Sequence, residues 1–313
     1  MRKAQTRLFL VAILSTGLGL ASPGNRVAAD KSASLRSAKE LYGQRNFRGA
    51  IDLLNEVLRS SPGDSEVEQV LALAYYSNGS LSDAVPILER LHSLGGPIGF
   101  DTSYLLGMCY LKLDKPDQAR AAFAQMYSVK YDSAAARLFF ARILVREHRE
   151  DQAAGELTKA IEIDPRLGMA HFLLGEVYLY KGATQPAINE FHKELEISPA
   201  LWLVYWRLAD ALLRAESLED AERAAKQAIW LNESFSGSYV TLGEIAFKRG
   251  DFELAQGLFE RAVKMEPGNQ SAHYSLARVY QKLGKNDEAA REFEVSRSLL
   301  NGRNGSVSLT PLP

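Results

Sequence analysis

Cysteine and histidine are scarce in this sequence, which has one cysteine and five histidines among its 313 residues. A single cysteine excludes an internal disulfide framework and a cysteine-rich zinc or iron–sulfur site. His171 and His273 fall at the same position of a repeat described below, but 102 residues apart. Stacked repeats would hold them too far apart to share a metal ion, so we expect neither a metal site nor a cofactor.

An excess of one charge sign is also missing, because 37 Lys and Arg residues nearly balance 38 Asp and Glu residues. Proteins that hold nucleic acid do so largely by neutralising phosphates with basic side chains, which releases counterions. Since no global basic field exists here, we expect no nucleic-acid partner.

Catalytic motifs are absent as well. The sequence contains no glycine-rich phosphate loop, no Gly-x-Ser-x-Gly and no His-Glu-x-x-His. Residues 304–313 follow the repeats described below, and these ten residues are too few for a catalytic domain. We therefore expect a protein that is not an enzyme and that has no small-molecule substrate.

The N-terminus has the layout of a secretory signal. Arg2, Lys3 and Arg7 precede a mostly apolar run of thirteen residues, 8–20, and small residues follow it. As a helix the run would span about 20 Å, short of a bilayer core of about 30 Å. No cysteine follows the run, which excludes a lipoprotein anchor. The pattern predicts an exported protein, periplasmic or secreted.

Two cleavage sites fit this signal, one after Ala21 and one after Ala29. We favour Ala29 because regular structure is expected to start directly behind it, which makes residues 1–29 the signal peptide. Cleavage there would leave 33 basic and 38 acidic residues. The alternative is a signal that is retained as an anchor, and it is the one route by which we expect membrane attachment.

The remainder of the chain is one motif written eight times. Small residues, Gly or Ala, stand twelve positions before each of eight regularly spaced alanines, and a large apolar residue follows four positions after all but one of them. The exception is Ala225. The alanines are 34 residues apart, with one spacing of 35: Ala50, Ala84, Ala119, Ala153, Ala187, Ala221, Ala255 and Ala289.

Each repeat reads as two amphipathic helices around a break. Apolar residues recur at steps of three and four on both sides of the break, which is the helical period. Glycines such as Gly182 stand at the break, where a left-handed conformation ends a helix, and prolines such as Pro199 end the second helix. Asp114, His148 and Glu216 replace the turn glycine in three repeats.

These residues resemble the tetratricopeptide repeat family. The resemblance is carried, in the fifth repeat, by Leu174, Gly175, Tyr178, Gly182, Ala187, Phe191 and Pro199. It implies an all-α, right-handed superhelical solenoid of about eight helix-turn-helix hairpins over residues 31–303. The repeats start near residues 31, 65, 100, 134, 168, 202, 236 and 270, and residues 304–313 are expected to be a flexible tail.

The resemblance also implies a binding surface, because first helices line the concave groove of such arrays. An apolar set stands at the fifth position of successive repeats: Tyr104, Leu138, Phe172 and Trp206. A basic set borders it: Arg142, Arg146, Arg214 and Lys248. We expect a protein or peptide partner with apolar and some acidic groups, with Phe172 and Trp206 as main anchors.

Two readings without a ligand stay open for these residues. Cations late in a helix favour the helix dipole by themselves, and the apolar side chains would also fit half-buried against the next repeat. The function favoured by the sequence is an exported, non-catalytic scaffold in cell-envelope assembly. The alternative is an accessory, substrate-recruiting subunit of an envelope enzyme or of a secretion or polysaccharide machine.

Overall fold

The computed structural model describes residues 23–94 and 99–306, and these residues form sixteen α-helices and no strand. The expected all-α fold is confirmed. The helices are α1 (Pro23–Gly43), α2 (Phe47–Ser60), α3 (Ser65–Asn78), α4 (Leu81–Leu94), α5 (Gly99–Lys112), α6 (Pro116–Met126), α7 (Ala134–Arg146), α8 (Glu150–Ile163), α9 (Ala170–Tyr180), α10 (Thr184–Ile197), α11 (Trp202–Arg214), α12 (Leu218–Leu231), α13 (Ser236–Arg249), α14 (Phe252–Met265), α15 (Gln270–Lys282) and α16 (Asn286–Ser306).

Consecutive helices pair as hairpins, so odd-numbered helices are the first helices and even-numbered helices are the second helices of hairpins one to eight. The described residues form two compact units, 23–140 and 141–306, which divide within α7. In the unit that starts at Ala141, each second helix from α10 to α14 packs against the first helix that follows it. Successive first helices from α9 to α15 also contact one another. They therefore form one continuous layer.

The core of each hairpin is built on the eight spaced alanines, which are 0–2% exposed. In hairpins three, five and seven the small residue of the first helix is glycine and the large apolar residue of the second is phenylalanine. The rings of Phe123, Phe191 and Phe259 are fully buried against these glycines. Large and small side chains thus interdigitate at the point where the two helices are closest.

The turns between first and second helices share one backbone conformation, with or without glycine. Gly182 has φ of 75°, and the three residues that replace the turn glycine have similar values: Asp114 at 55°, His148 at 57° and Glu216 at 61°. The left-handed conformation is less favourable for residues with a Cβ. Packing of the two helices therefore fixes the turn, and the residue type adapts to it.

Both ends of the chain differ from expectation. Helix α1 begins at Pro23, upstream of Ala29, so regular structure does not start behind the favoured cleavage site. Helix α16 runs to Ser306, beyond the predicted start of a flexible tail at Asn304, because no proline interrupts it there. The apolar run at 8–20 and tail residues 307–313 lie outside the described residues. Within the described part, no helix is long and apolar enough to cross a membrane.

Candidate functional site

The four apolar residues predicted to line a groove fall in both compact units. Tyr104 on α5 and Leu138 on α7 belong to the unit of residues 23–140, where both are half-buried. The ring of Tyr104 packs 5.9 Å from that of Phe123 in the same hairpin. Phe172 and Trp206 belong to the unit that starts at Ala141.

Phe172 is an interior residue, which does not favour its predicted role as a main anchor. It is only 6% exposed and lies in a hydrophobic cluster, with its ring 5.9 Å from that of Phe191. Phe172 lies in the first turn of α9, and its side chain points towards α10, the second helix of the same hairpin. A partner would gain little contact area from a side chain that is already buried.

A buried carboxylate that sequence reasoning missed fixes the start of α9. Glu194 on α10 is 0% exposed, and it accepts hydrogen bonds from the backbone N–H of Met169 at 2.8 Å and of Phe172 at 3.2 Å. Helix N-termini leave such N–H groups without intrahelical partners. The available signal was a glutamate at a position where three other hairpins have alanine: Ala160, Ala228 and Ala262.

Trp206 is half-buried against the next hairpin. This matches the alternative in which the apolar side chains pack against the next repeat without any ligand. Its Nε1–H donates a hydrogen bond to Thr241 Oγ1 at 3.1 Å, which joins α11 to α13. Its ring meets the Phe235 ring edge-on at 4.9 Å, and the guanidinium of Arg207 lies 5.2 Å from the indole. The indole therefore links α11 to α13 and remains partly exposed to solvent.

The predicted basic residues are all exposed and lie on first helices from Ala141 onward. Arg214 pairs with Asp210 at 3.1 Å, Lys248 lies 3.6 Å from Glu216, and Arg146 lies 3.9 Å from Glu147. Arg142 has no ion pair within residues 23–94 and 99–306. These exposed pairs are weak in water, so a partner's carboxylates can compete for the cations.

Two further arginines tie neighbouring first helices together. Arg207 bonds to the Glu176 carboxylate of the preceding hairpin and lies 3.3 Å from Asp210. Arg278 bonds to both carboxylate oxygens of Glu244 at 3.3 Å. The three acidic residues of this surface are thus already compensated by arginines, which leaves the surface basic.

A row of exposed side chains marks the last turn of five consecutive first helices. We call this row with its surroundings the first-helix face: Arg146, Tyr180, Arg214, Lys248 and Lys282. Four members are cations, and Tyr180 is 71% exposed. Lys282 has no hydrogen bond or ion pair within the described part of the chain. Tyr274, on α15, adds a second exposed aromatic ring.

Charge is distributed unequally between the two helix layers of this unit. From Ala141 to Lys282 the first helices carry eight Lys or Arg and three Asp or Glu, a net charge of +5. The second helices, α8 to α16, carry nine Lys or Arg and sixteen Asp or Glu, a net charge of −7. Within this unit the first helices therefore form a basic layer and the second helices an acidic layer.

Shifted pKa values occur on first helices and on second helices. Burial raises the pKa of the Cys109 thiol to about 11, and burial together with the Glu260 carboxylate raises the pKa of Tyr280 to about 12. Hydrogen bonds from Lys226 and Arg249 lower the pKa of Glu222. No group of three or more possible metal ligands occurs among residues 23–94 and 99–306. The first-helix face itself exposes separated cations and the aromatic rings of Tyr180 and Tyr274.

Comparison with known proteins identifies the repeats. A family model described as tetratricopeptide repeat matches residues 104–167 and 240–297. A second model, described as anaphase-promoting complex, cyclosome, subunit 3, matches residues 43–126. The chain therefore contains tetratricopeptide repeats.

Similar proteins support the fold and differ in their roles. The chain is 51% identical over 49 residues to cellulose synthase operon protein C of Pseudomonas fluorescens (strain SBW25), a match that covers 16% of this chain and 4% of that protein. The solved structure of the APC/C hetero-tetramer Cut9-Hcn1 has 19% identity, with a TM-score of 0.53 over 86% of this chain and 53% of that one. MamA from Desulfovibrio magneticus RS-1 has 18% identity, with a TM-score of 0.50 over 55% of this chain and 97% of that one.

Proposed function

We propose that this tetratricopeptide-repeat chain is an exported, non-catalytic scaffold that binds a partner protein or peptide on its first-helix face. One observation carries the proposal: the last turn of five consecutive first helices exposes either a cation or a tyrosine. The helix dipole favours a cation at each of these places, but it gives no reason for Tyr180, the second residue of the row, which is 71% exposed.

The partner segment carries carboxylates and at least one apolar or aromatic side chain. The net charge of +5 on the first helices attracts acidic groups and speeds their encounter with the face. Tyrosine and arginine are the residue types that dominate binding energy at protein interfaces. Tyr180 and Arg214 stand at the same position of adjacent hairpins, so one extended segment can reach both.

Site-specific photocrosslinking tests this face and captures whichever protein binds there. A benzophenone amino acid replaces Tyr180 in one variant and Trp230 in the other, since Trp230 is 76% exposed on the second helix α12. We expect a protein adduct from the Tyr180 position in cells that express the protein, and we expect Arg214→Glu with Lys248→Glu to abolish it. Adducts from Trp230 alone, or an adduct that survives both charge reversals, would place binding elsewhere.

Export is a separate part of the proposal. It is supported by the sequence layout alone, with basic residues, a short apolar run and the small residues that end at Ala29. The intact mass of the protein recovered from the producing cells decides it, and we expect a chain that begins at Asp30. A mass that starts at Met1 would indicate a retained anchor.

The alternative function is an accessory subunit that recruits substrate for an envelope polysaccharide machine. The 49-residue match to cellulose synthase operon protein C favours it. Purification of the protein from its native envelope under mild conditions separates the two functions. Recovery of one enzyme in fixed proportion supports the accessory subunit, and recovery of a non-enzymatic partner supports the scaffold.

A further inference from the structure

A cleft of about 770 Å³ lies between the second helices α10 and α12. Its floor comes from α11, which contributes Tyr205 together with the buried side chains of Leu208 and Leu212. Leu195 on α10 and Ala224 on α12 form apolar parts of its walls. Binding sites in proteins are commonly clefts of this size, apolar with a few polar groups.

Comparison with hairpin seven explains why the cleft beside Tyr205 is open in hairpin six. There Tyr239, at the position equivalent to Tyr205, is 3% exposed, because Leu258 packs in the same cluster and the Arg261 guanidinium lies 4.4 Å over its ring. Hairpin six has Ala224 and Gln227 at the two covering positions, each 34 residues earlier.

Tyr205 is consequently half-buried, and its ring borders the cleft. In hairpin seven the chain's own side chains cover the tyrosine ring. In hairpin six the equivalent ring remains accessible to another molecule.

Four polar side chains that line this cleft are not used by the chain. Tyr205, His192, Glu196 and Gln227 line it, and none of them has a hydrogen bond or ion pair to any residue in the described ranges. On the first-helix face, by contrast, all three acidic residues are compensated by arginines. Unused polar groups over an apolar floor are what a ligand requires for both affinity and orientation.

The charge of the cleft selects a basic ligand. The Asp220 carboxylate at the rim is bonded by Arg223, which leaves Glu196 as the one uncompensated carboxylate of the lining. The cleft also lies within the layer of second helices, whose net charge is −7. A cation placed over the Tyr205 ring beside Glu196 gains from the ring face and from the carboxylate.

We propose that this cleft is a second recognition site, which binds a partner segment with a leucine-like side chain close to an arginine or lysine. These are the two groups by which Leu258 and Arg261 cover Tyr239 in the next hairpin. The apolar side chain fills the space beside Ala224, and the cation lies over Tyr205. The site is independent of the first-helix face and takes a ligand of opposite charge.

Selection from a phage-displayed library of random 12-residue peptides on the purified protein tests the proposal. Each variant places in hairpin six or five a residue that hairpin seven already has at that position, so the fold is expected to tolerate it. Ala224→Leu with Gln227→Arg closes the cleft, and Glu196→Lys copies Lys264. Circular dichroism and thermal melts confirm that each variant is folded.

We expect enriched peptides that pair a large apolar residue with a nearby Arg or Lys. Closing the cleft should weaken their binding about tenfold or more, the loss typical of a main anchor. Glu196→Lys should weaken binding in the same direction, while Glu162→Lys, the equivalent change on α8, should leave it within about twofold. Arg214→Glu with Lys248→Glu should not affect these peptides.

Peptides that bind the cleft-closed variant as tightly as the parent protein would overturn the proposal. An enriched set without basic residues would also overturn it. Peptides that lose binding only through Arg214→Glu with Lys248→Glu belong to the first-helix face, so the two proposed sites succeed or fail separately.

Discussion

The ring of Phe191 occupies the space that a Cβ at Gly175 would need, since such an atom would lie 2.6 Å from Phe191 Cε1. A Cβ added at Gly243 would lie at the same distance from Phe259 Cε1. Hairpins two and four pair alanine with leucine at these two positions instead: Ala72 with Leu88, and Ala141 with Leu157. Residue sizes on the two helices therefore compensate each other in these four hairpins.

Gly175→Ala should destabilise the protein by about 1–3 kcal/mol, because the added methyl overpacks the contact with Phe191. Combining it with Phe191→Leu, which recreates the pair of hairpins two and four, should restore part of that loss. Chemical denaturation of the two single variants and the double variant gives the coupling energy. Additive effects would mean that the two residues do not compete for one space.

The same substitution should have opposite effects at two other glycines. Gly182 has φ of 75°, so Gly182→Ala forces a Cβ into the left-handed region and should cost about 1 kcal/mol. Gly155 lies inside α8 with open space around it, so Gly155→Ala should stabilise by about 0.5–1 kcal/mol. Thermal melts of both variants decide this, and a shift of the same sign for both would contradict the backbone argument.

Glu194→Ala should cost about 1–3 kcal/mol, because it leaves the N–H groups of Met169 and Phe172 without their buried acceptor. Glu196→Ala is the matched control on the same helix, since that carboxylate is exposed and has no partner among the described residues. We expect the control to unfold at nearly the same denaturant concentration as the parent protein. Equal losses for both variants would rule out the capping role.

Cys109 should be unreactive in the native protein. Its side chain is fully buried, and burial raises the thiol pKa from 9.0 to about 11, so almost no thiolate forms at pH 8. A raised pKa favours the protonated thiol in the folded state, so its contribution to stability is present below pH 9 and is lost as the pH rises towards 11.

Ellman's reagent at pH 8 should therefore label the thiol in urea and leave the folded protein unlabelled. Rapid labelling without denaturant would show that α5 opens easily. A Cys109→Ala variant serves as the reagent blank.

The sequence by itself determined the hairpins, because helical periodicity, turn glycines and a 34-residue spacing are local properties. Eight spaced alanines marked the core correctly, since a position where two helices touch admits only a small side chain. The exposed cations at the ends of first helices could also be predicted from the sequence, because their repeat position lies on the solvent-facing side of each helix.

Tertiary structure decided what each side chain at these positions does. Phe172 and Trp206 share one repeat position, yet Phe172 packs inside its own hairpin and Trp206 bonds to Thr241 of the next. Glu194 caps the first helix of its own hairpin, and the Tyr205 ring borders an open cleft where the equivalent Tyr239 is covered. These differences depend on which side chains of the neighbouring helices meet each residue. A repeat pattern predicts where a residue stands on its helix, but it does not predict the side chains that pack against it.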